Sequence, residues 1–185
     1  MEVTMVSGRA KNARNAIECP SIRRRVERSA PAVVPSVRAR VLTGANLSVM
    51  THIPDLQWWS ENSQGTLIDR LGIELLEVGP ERAVGTMPVE GNTQPAGLLH
   101  GGATAALGET LGSIAAWVHG GLDRHVVGLE LGATHHRSAR EGVVTGVATA
   151  IHLGRTTASY EIVVSDERER RLSTVRLTCL ILDPR

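Results

Sequence analysis

Phenylalanine is absent from this 185-residue chain, and tyrosine occurs once beside three tryptophans, Trp58, Trp59 and Trp117. So small a set of rings gives no ground, from composition, for a stacking pocket. Cysteine is almost as scarce. Cys19 and Cys179 are far apart and lack ligand spacing, which argues against a disulfide framework and against a zinc site and suits a reducing, cytoplasmic setting. No apolar run reaches the roughly 18 residues of a membrane span, and no charged start leads into an apolar block like that of a signal peptide. A membrane protein is therefore not expected.

The formal net charge of +1 hides an uneven distribution. Residues 1–49 hold nine basic side chains against Glu2, Glu18 and Glu27, a balance of +6, which leaves −5 for the rest. Such a head can be read as a nucleic-acid or membrane patch or as a transit peptide. It lacks hydrophobic periodicity, however, and is interrupted by Pro31 and Pro35. The expectation is a disordered extension or mis-assigned start over 1–49, then one domain over 50–185, long enough for a real core.

Within that domain, Gln64–Leu71 reads as a short amphipathic helix, and Ile73–Val78 and Arg82–Val89 as strands around Gly79-Pro80. Glu90–Gly97, with Gly91, Asn92 and Pro95, reads as a loop. Ala103–His119 is the one long helical candidate, stopped by Gly120-Gly121. His125–His135, Val143–His152, Thr156–Ser165 and Leu172–Leu182 are rich in Val, Ile, Leu and Thr and are broken by glycine or charge clusters. Strands joined by such short turns are antiparallel. The fold class is α+β, one antiparallel sheet with one long helix.

The chemistry concentrates in that helix and its approach. Glu109 is an isolated carboxylate among Ala, Gly, Leu and Ile, and Ser113, four residues on, shares its face. A carboxylate buried there suits general-base or nucleophile work. Gly101-Gly102 place free N–H groups at the helix start, where the dipole favours a developing oxyanion. Gln94 and His100 add side-chain hydrogen bonders that can polarise a carbonyl or merely cap and brace. In the strand, Val127, Leu129, Leu131, Ala133 and His135 alternate onto one face, expected to be buried, which turns His135 rather than His136 toward the core or a cleft. His100, His135 and His152 lack metal spacing, so no metal and no cofactor are expected.

These residues resemble a known family. Gly97-Leu98-Leu99-His100-Gly101-Gly102-Ala103, Glu109-Thr110-Leu111-Gly112-Ser113, Val126-Val127-Gly128-Leu129-Glu130, Thr134-His135-His136-Arg137-Ser138, Ala139-Arg140-Glu141-Gly142 and His152-Leu153-Gly154-Arg155 are similar to hotdog-fold acyl-CoA thioesterases of the PaaI type. The similarity covers roughly residues 66–183. It is strongest to the branch that contains 1,4-dihydroxy-2-naphthoyl-CoA hydrolase and the proofreading thioesterase of enterobactin synthesis.

The resemblance implies a curved antiparallel sheet wrapped around the helix, homodimers or dimers of dimers, and active sites at the dimer interface. His100, Gly101 and Gln94 of one subunit then face Glu109 and Ser113 of the other. Glu109 is the implied nucleophile or general base, the Gly101 N–H polarises the thioester carbonyl with Gln94 or His100 assisting, and Ser113 positions water or the carboxylate. His135, His136, Arg137, Ser138, His152, Leu153, Gly154 and Arg155 line the coenzyme A path, with Arg137, Arg140 or Arg155 meeting phosphates as charge-assisted donors. The loop Glu90–Gly97 departs by one missing residue and by the small Ala96. The expected activity is hydrolysis of an aromatic or medium acyl-CoA, with 1,4-dihydroxy-2-naphthoyl-CoA as the single best candidate. The alternatives are a proofreading enzyme acting on an acyl carrier protein and a non-catalytic acyl-CoA-binding module. No nucleic-acid partner is implied.

Overall fold

Asp55 opens a helix that hydrophobic spacing does not announce. The computed structural model describes residues 53–183, so the expectations for 1–49 lie outside the described residues. Within it, α1 (Leu56–Asn62) starts where the Asp55 carboxylate accepts from the Trp58 N–H at 2.9 Å, an N-cap that satisfies one of the helix's free donors. The expected helix over Gln64–Leu71 shrinks to one turn, α2 (Leu67–Arg70). Strands β1 (Glu74–Val78) and β2 (Arg82–Pro88) follow, then α3 (Gly101–Gly120) and strands β3 (His125–His135), β4 (Val143–Leu153), β5 (Thr157–Ser165) and β6 (Arg171–Leu182).

The strands form one sheet in the order β1-β2-β4-β5-β6-β3, and each neighbouring pair is antiparallel. The chain leaves β2 near one edge and resumes with β3 at the other, so α3 crosses the sheet between them. This is the α+β arrangement of one sheet on one long helix. Ten of the twenty residues of α3 are buried. Leu107 and Leu111 lie in the core with Met87, Val144, Ile162 and Leu177, and each such leucine contributes about 1.5–3 kcal/mol by leaving water. The close fit depends on glycines. A Cβ at Gly108 would stand 2.8 Å from Val175 Cγ1, and one at Gly112 would stand 2.7 Å from Leu177 Cδ2. Tyr160 is fully buried and donates its hydroxyl to the Pro80 carbonyl at 2.8 Å.

Two expectations are corrected here. The helix begins at Gly101 rather than Ala103 and runs through Gly120. The glycine pair thus belongs to its first turn, because His100 provides the cap. The single apolar face expected for β3 is also broken. Gly128 opposes Cys179, but Glu130 opposes Thr178, and the register shifts between them. Directly opposed residues share a face, so Gly128, Leu131, Ala133 and His135 lie on the core side with Cys179, Leu177, Val175 and Ser173, while Val127 opposes Leu180 on the outer side. Leu129 is the extra residue of the bulge. Val127, Leu129 and Leu131 remain exposed, Leu129 at 63%. His135 keeps its expected side because the two-residue period resumes after the bulge.

Candidate active site

The approach to α3 is pinned by Asn92, which the sequence reading placed only in a turn. Asn92 is buried, donates its side-chain amide to the carbonyls of Leu71 (2.8 Å) and Pro88 (2.9 Å), and accepts the His100 N–H on its own carbonyl at 2.8 Å. Leu99 N–H donates to Ala139 O at 2.8 Å, which ties the loop to the segment after β3. Gln94 opens a tight turn, its N–H donating to Leu98 O and its carbonyl accepting from Gly97, a residue at φ +69°. The half-buried Gln94 side chain makes no hydrogen bond among the described residues. Arg140 reaches the same turn, its Nη1 near Gly97.

His100 is the N-cap of α3, and its Nδ1 accepts from Gly102 N–H at 2.8 Å. A neutral ring that accepts at Nδ1 carries its proton on Nε2, so a donor projects from the helix start. The first N–H groups of a helix have no intrahelical acceptor. Gly102 uses His100, whereas the Gly101 N–H finds no acceptor within the described chain. His135 packs against this point. Its Nδ1 is 2.6 Å from the buried Ser173 Oγ, and its Nε2 fills the space that a Cβ at Gly101 would take. Ser173 was not foreseen; only its register opposite His135 reveals it.

The Glu109 side chain is exposed, which corrects the expectation of a carboxylate buried by its own domain. Its Oε1 lies over Gly128 at the β3 bulge, 3.3 Å from where a Cβ would be. Ser113 stands one turn further along the same stripe, its hydroxyl against the Cys179 thiol. Burial pushes that thiol above its usual range. The Ser113 hydrogen bond acts the other way, and the nearby Glu109 carboxylate adds to the rise. Gly101 and Glu109 are eight residues apart on one helix, about 12 Å at 1.5 Å per residue. A single chain therefore does not bring that N–H and that carboxylate to one carbonyl group.

The other predicted residues fall into two groups. His135, Arg137 and Arg140 lie at the α3 N-terminal end. Arg137 donates to Arg171 O at 3.2 Å, Ser138 is exposed, and His136 lies on the outer face with Nε2 2.9 Å from Thr174 Oγ1. His152, Leu153, Gly154 and Arg155 lie at the opposite end, where His119 Nε2 meets Gly154 O at 2.9 Å and Arg124 donates to Arg155 O at 3.0 Å. Leu153 packs on the core and Gly154 forms the turn into β5. A single chain does not join these two groups. Two cavities flank the exposed stripe of α3. One of about 350 Å³ is lined by Leu67, Asn92, His100, Gly102 and Ala106, and one of about 400 Å³ by Ser113, Ile114, Trp117 and Val126. Among the described residues no group of three or more His, Cys, Asp or Glu side chains is arranged to hold a metal, and no helix is long and apolar enough to cross a membrane.

Comparison with known proteins gives one consistent picture. Residues 96–173 match the model of the thioesterase superfamily. The chain is 46% identical over 128 residues to the proofreading thioesterase EntH of Cronobacter turicensis, covering 69% of this chain and 93% of that protein. Among solved structures, a thioesterase of Haemophilus influenzae superposes with a TM-score of 0.69 at 34% identity, covering 72% of this chain and 94% of its own. A mutant thioesterase of Pseudomonas aeruginosa gives 0.68 at 38% identity, with 73% and 99% covered.

Proposed function

This chain belongs to the thioesterase superfamily and is a thioester hydrolase, and we propose that Glu109 of one subunit and Gly101 of a second form each of its active sites. The observation that carries this reading is the 12 Å axial offset, about eight residues of helix, between the one carboxylate of α3 and the free N–H at its start. In a two-fold pair whose axis is perpendicular to α3, the same surface meets itself in antiparallel fashion. Laid side by side, two copies of α3 bring the middle of one helix toward the start of the other. The edge strand β3 supplies the seam. It is eleven residues long, pairs only with β6 among the described residues, and exposes Val127, Leu129 and Leu131, an edge that would aggregate if left uncovered.

In this arrangement the thioester carbonyl oxygen accepts from the partner subunit's Gly101 N–H, with the His100 Nε2–H or the Gln94 amide as second donor. Donors placed where charge develops stabilise the tetrahedral oxyanion most. Glu109 attacks the carbonyl carbon, or removes a proton from the water that does, while Ser113 holds that water. The carbon–sulfur bond then breaks and the thiolate leaves; where Glu109 acted as base its carboxyl returns the proton to the sulfur, and where it attacked, water hydrolyses the acyl–Glu109 anhydride and supplies that proton. The same antiparallel pairing joins the two separated groups, with Arg137 and Arg140 of one copy near His152 and Arg155 of the other, along a path for a phosphopantetheine arm.

The substrate class is an aryl or medium-length acyl thioester carried on coenzyme A or on a carrier protein. EntH, named as a proofreading thioesterase, favours the carrier-linked or general form over a reaction confined to 1,4-dihydroxy-2-naphthoyl-CoA. A non-catalytic binding module has no use for a carboxylate on this stripe. The test is thiol release from benzoyl-CoA and hexanoyl-CoA by the full chain, followed with a thiol-reactive dye. Glu109→Gln should fold normally and lose turnover by two or more orders of magnitude; near-normal turnover in that variant would refute the assignment.

A further inference from the structure

We propose that Trp117, braced by Trp58 and Trp59 of α1, is the end wall of the acyl site and limits it to uncharged aryl and medium-length acyl groups. This rests on the reading of Glu109 and Ser113 given above. Trp117 is four residues beyond Ser113 and eight beyond Glu109, so the three share one stripe of α3. Ser113 and Trp117 both line the open cavity of about 400 Å³ at that end of the stripe.

The wall is rigid. Trp117 Nε1–H donates to the Arg124 carbonyl at 3.1 Å. Its ring meets Trp59 edge-on, with centroids 5.3 Å apart at 84°, and Trp58 at 6.2 Å and 43°. Trp58 and Trp59 also meet edge-on at 5.1 Å, a geometry that aromatic rings favour. Trp59 is buried, and with Ile114 and Val118 it forms a small core separate from the main one, onto which Trp117, Leu75 and Val78 pack. An entering acyl chain would have to displace α1 to push the indole aside.

Charge narrows the class further. The guanidinium at the cavity, Arg124, is engaged by the carbonyls of Arg155 and Ile181 and by the Asp183 carboxylate at 2.8 Å. Both of its Nη groups are engaged, while its Nε–H is buried and has no partner among the described residues. Asp123, exposed at the same cavity, repels a substrate carboxylate. A dicarboxylic acyl group is therefore disfavoured.

The experiment compares kcat/KM for benzoyl-, hexanoyl-, decanoyl- and glutaryl-CoA in the wild type and in Trp117→Ala, Trp117→Phe and Trp58→Ala. Trp117→Ala should raise the decanoyl-to-hexanoyl ratio by about ten-fold or more. Trp117→Phe should restore most of the original preference, and Trp58→Ala should shift the ratio in the same direction by less, since it touches only the brace. A purely structural role for the cluster would lower stability and leave the ratio unchanged, which would overturn the proposal. A second readout needs no turnover. All three tryptophans of the chain are at this wall, so the emission of Glu109→Gln should change on adding a benzyl or hexyl thioether of coenzyme A and stay constant with coenzyme A alone. If the wild type cleaves no thioester, the reading of the site fails. If it cleaves benzoyl-CoA while the ratio and the emission both stay unchanged, the site stands and the wall falls.

Discussion

Gly101 has no side chain because His135 occupies the space, and a Cβ there would lie 2.7 Å from His135 Nε2. The ring cannot retreat freely, since its Nδ1 is 2.6 Å from the buried Ser173 Oγ. The glycine therefore keeps its N–H open to a ligand and lets a histidine from a distant strand stand beside it. Gly101→Ala keeps the N–H but drives a methyl into His135 Nε2, so it should shift the helix start and lower kcat by about 10²-fold or more, with a lower Tm as well. Unchanged kcat and Tm would contradict the contact between Gly101 and His135.

Shared sites predict complementation. Glu109→Gln and Gly101→Ala, each nearly inactive alone, should recover activity when refolded together. A mixed dimer of the two retains one site with both groups intact. No recovery, with mixed dimers demonstrated by tagging, would mean that the two residues act within one chain or not together.

The seam is tested at Leu129, the exposed bulge residue of β3. Leu129→Lys puts a charge on an edge strand, a standard device against edge pairing. The chain should shift toward monomer in analytical ultracentrifugation and lose thioesterase activity in parallel. An intact oligomer with full activity would direct the search to another face.

Packing beneath α3 reverses the usual effect of glycine replacement. In an exposed helix, alanine for glycine stabilises by about 0.5–1 kcal/mol. At Gly108 the new methyl would meet Val175 Cγ1 at 2.8 Å and Cβ at 3.0 Å, and a β-branched side chain has little rotamer freedom to yield. Gly108→Ala should destabilise by about 1–3 kcal/mol, seen as a lower urea midpoint. Gly112→Ala, which meets first the flexible end of Leu177, should cost less. The opposite ranking would contradict the packing described.

Alkaline pH should unfold the protein through two buried acids. Burial, then the neighbouring Cys179, raises the Tyr160 hydroxyl above its ordinary 10.0. Burial, opposed by Ser113 and reinforced by Glu109, raises the Cys179 thiol above 9.0. The unfolded chain releases these protons first, so the stabilisation is complete below about pH 9 and is lost as pH rises through the folded values. Tm should hold up to about pH 9 and fall above it, and Cys179→Ala should remove the earlier part of that fall relative to its own plateau. A flat Tm across the range would contradict the assignment.

Legibility from sequence followed the range of the signals. The long helix, the order of strands and the core-side orientation of His135 all rest on periodicities of a few residues. The α1 helix was missed because seven residues with adjacent tryptophans show no clear period, and its partner Trp117 lies far away in sequence. The β3 bulge was missed because one inserted residue leaves the composition of a strand unchanged. It is detected only against the register of β6.

The sequence alone determined that one carboxylate would stand on a small-residue helix opened by Gly101-Gly102, because helical spacing and capping are local properties of the chain. Only the tertiary structure decided that Glu109 stays uncovered in its own domain and that His135 meets Gly101. It also decided that the three tryptophans meet, with Trp117 lining a cavity. These relationships depend on which strands become neighbours and on where a bulge shifts the register, and both are settled by packing between segments distant in sequence.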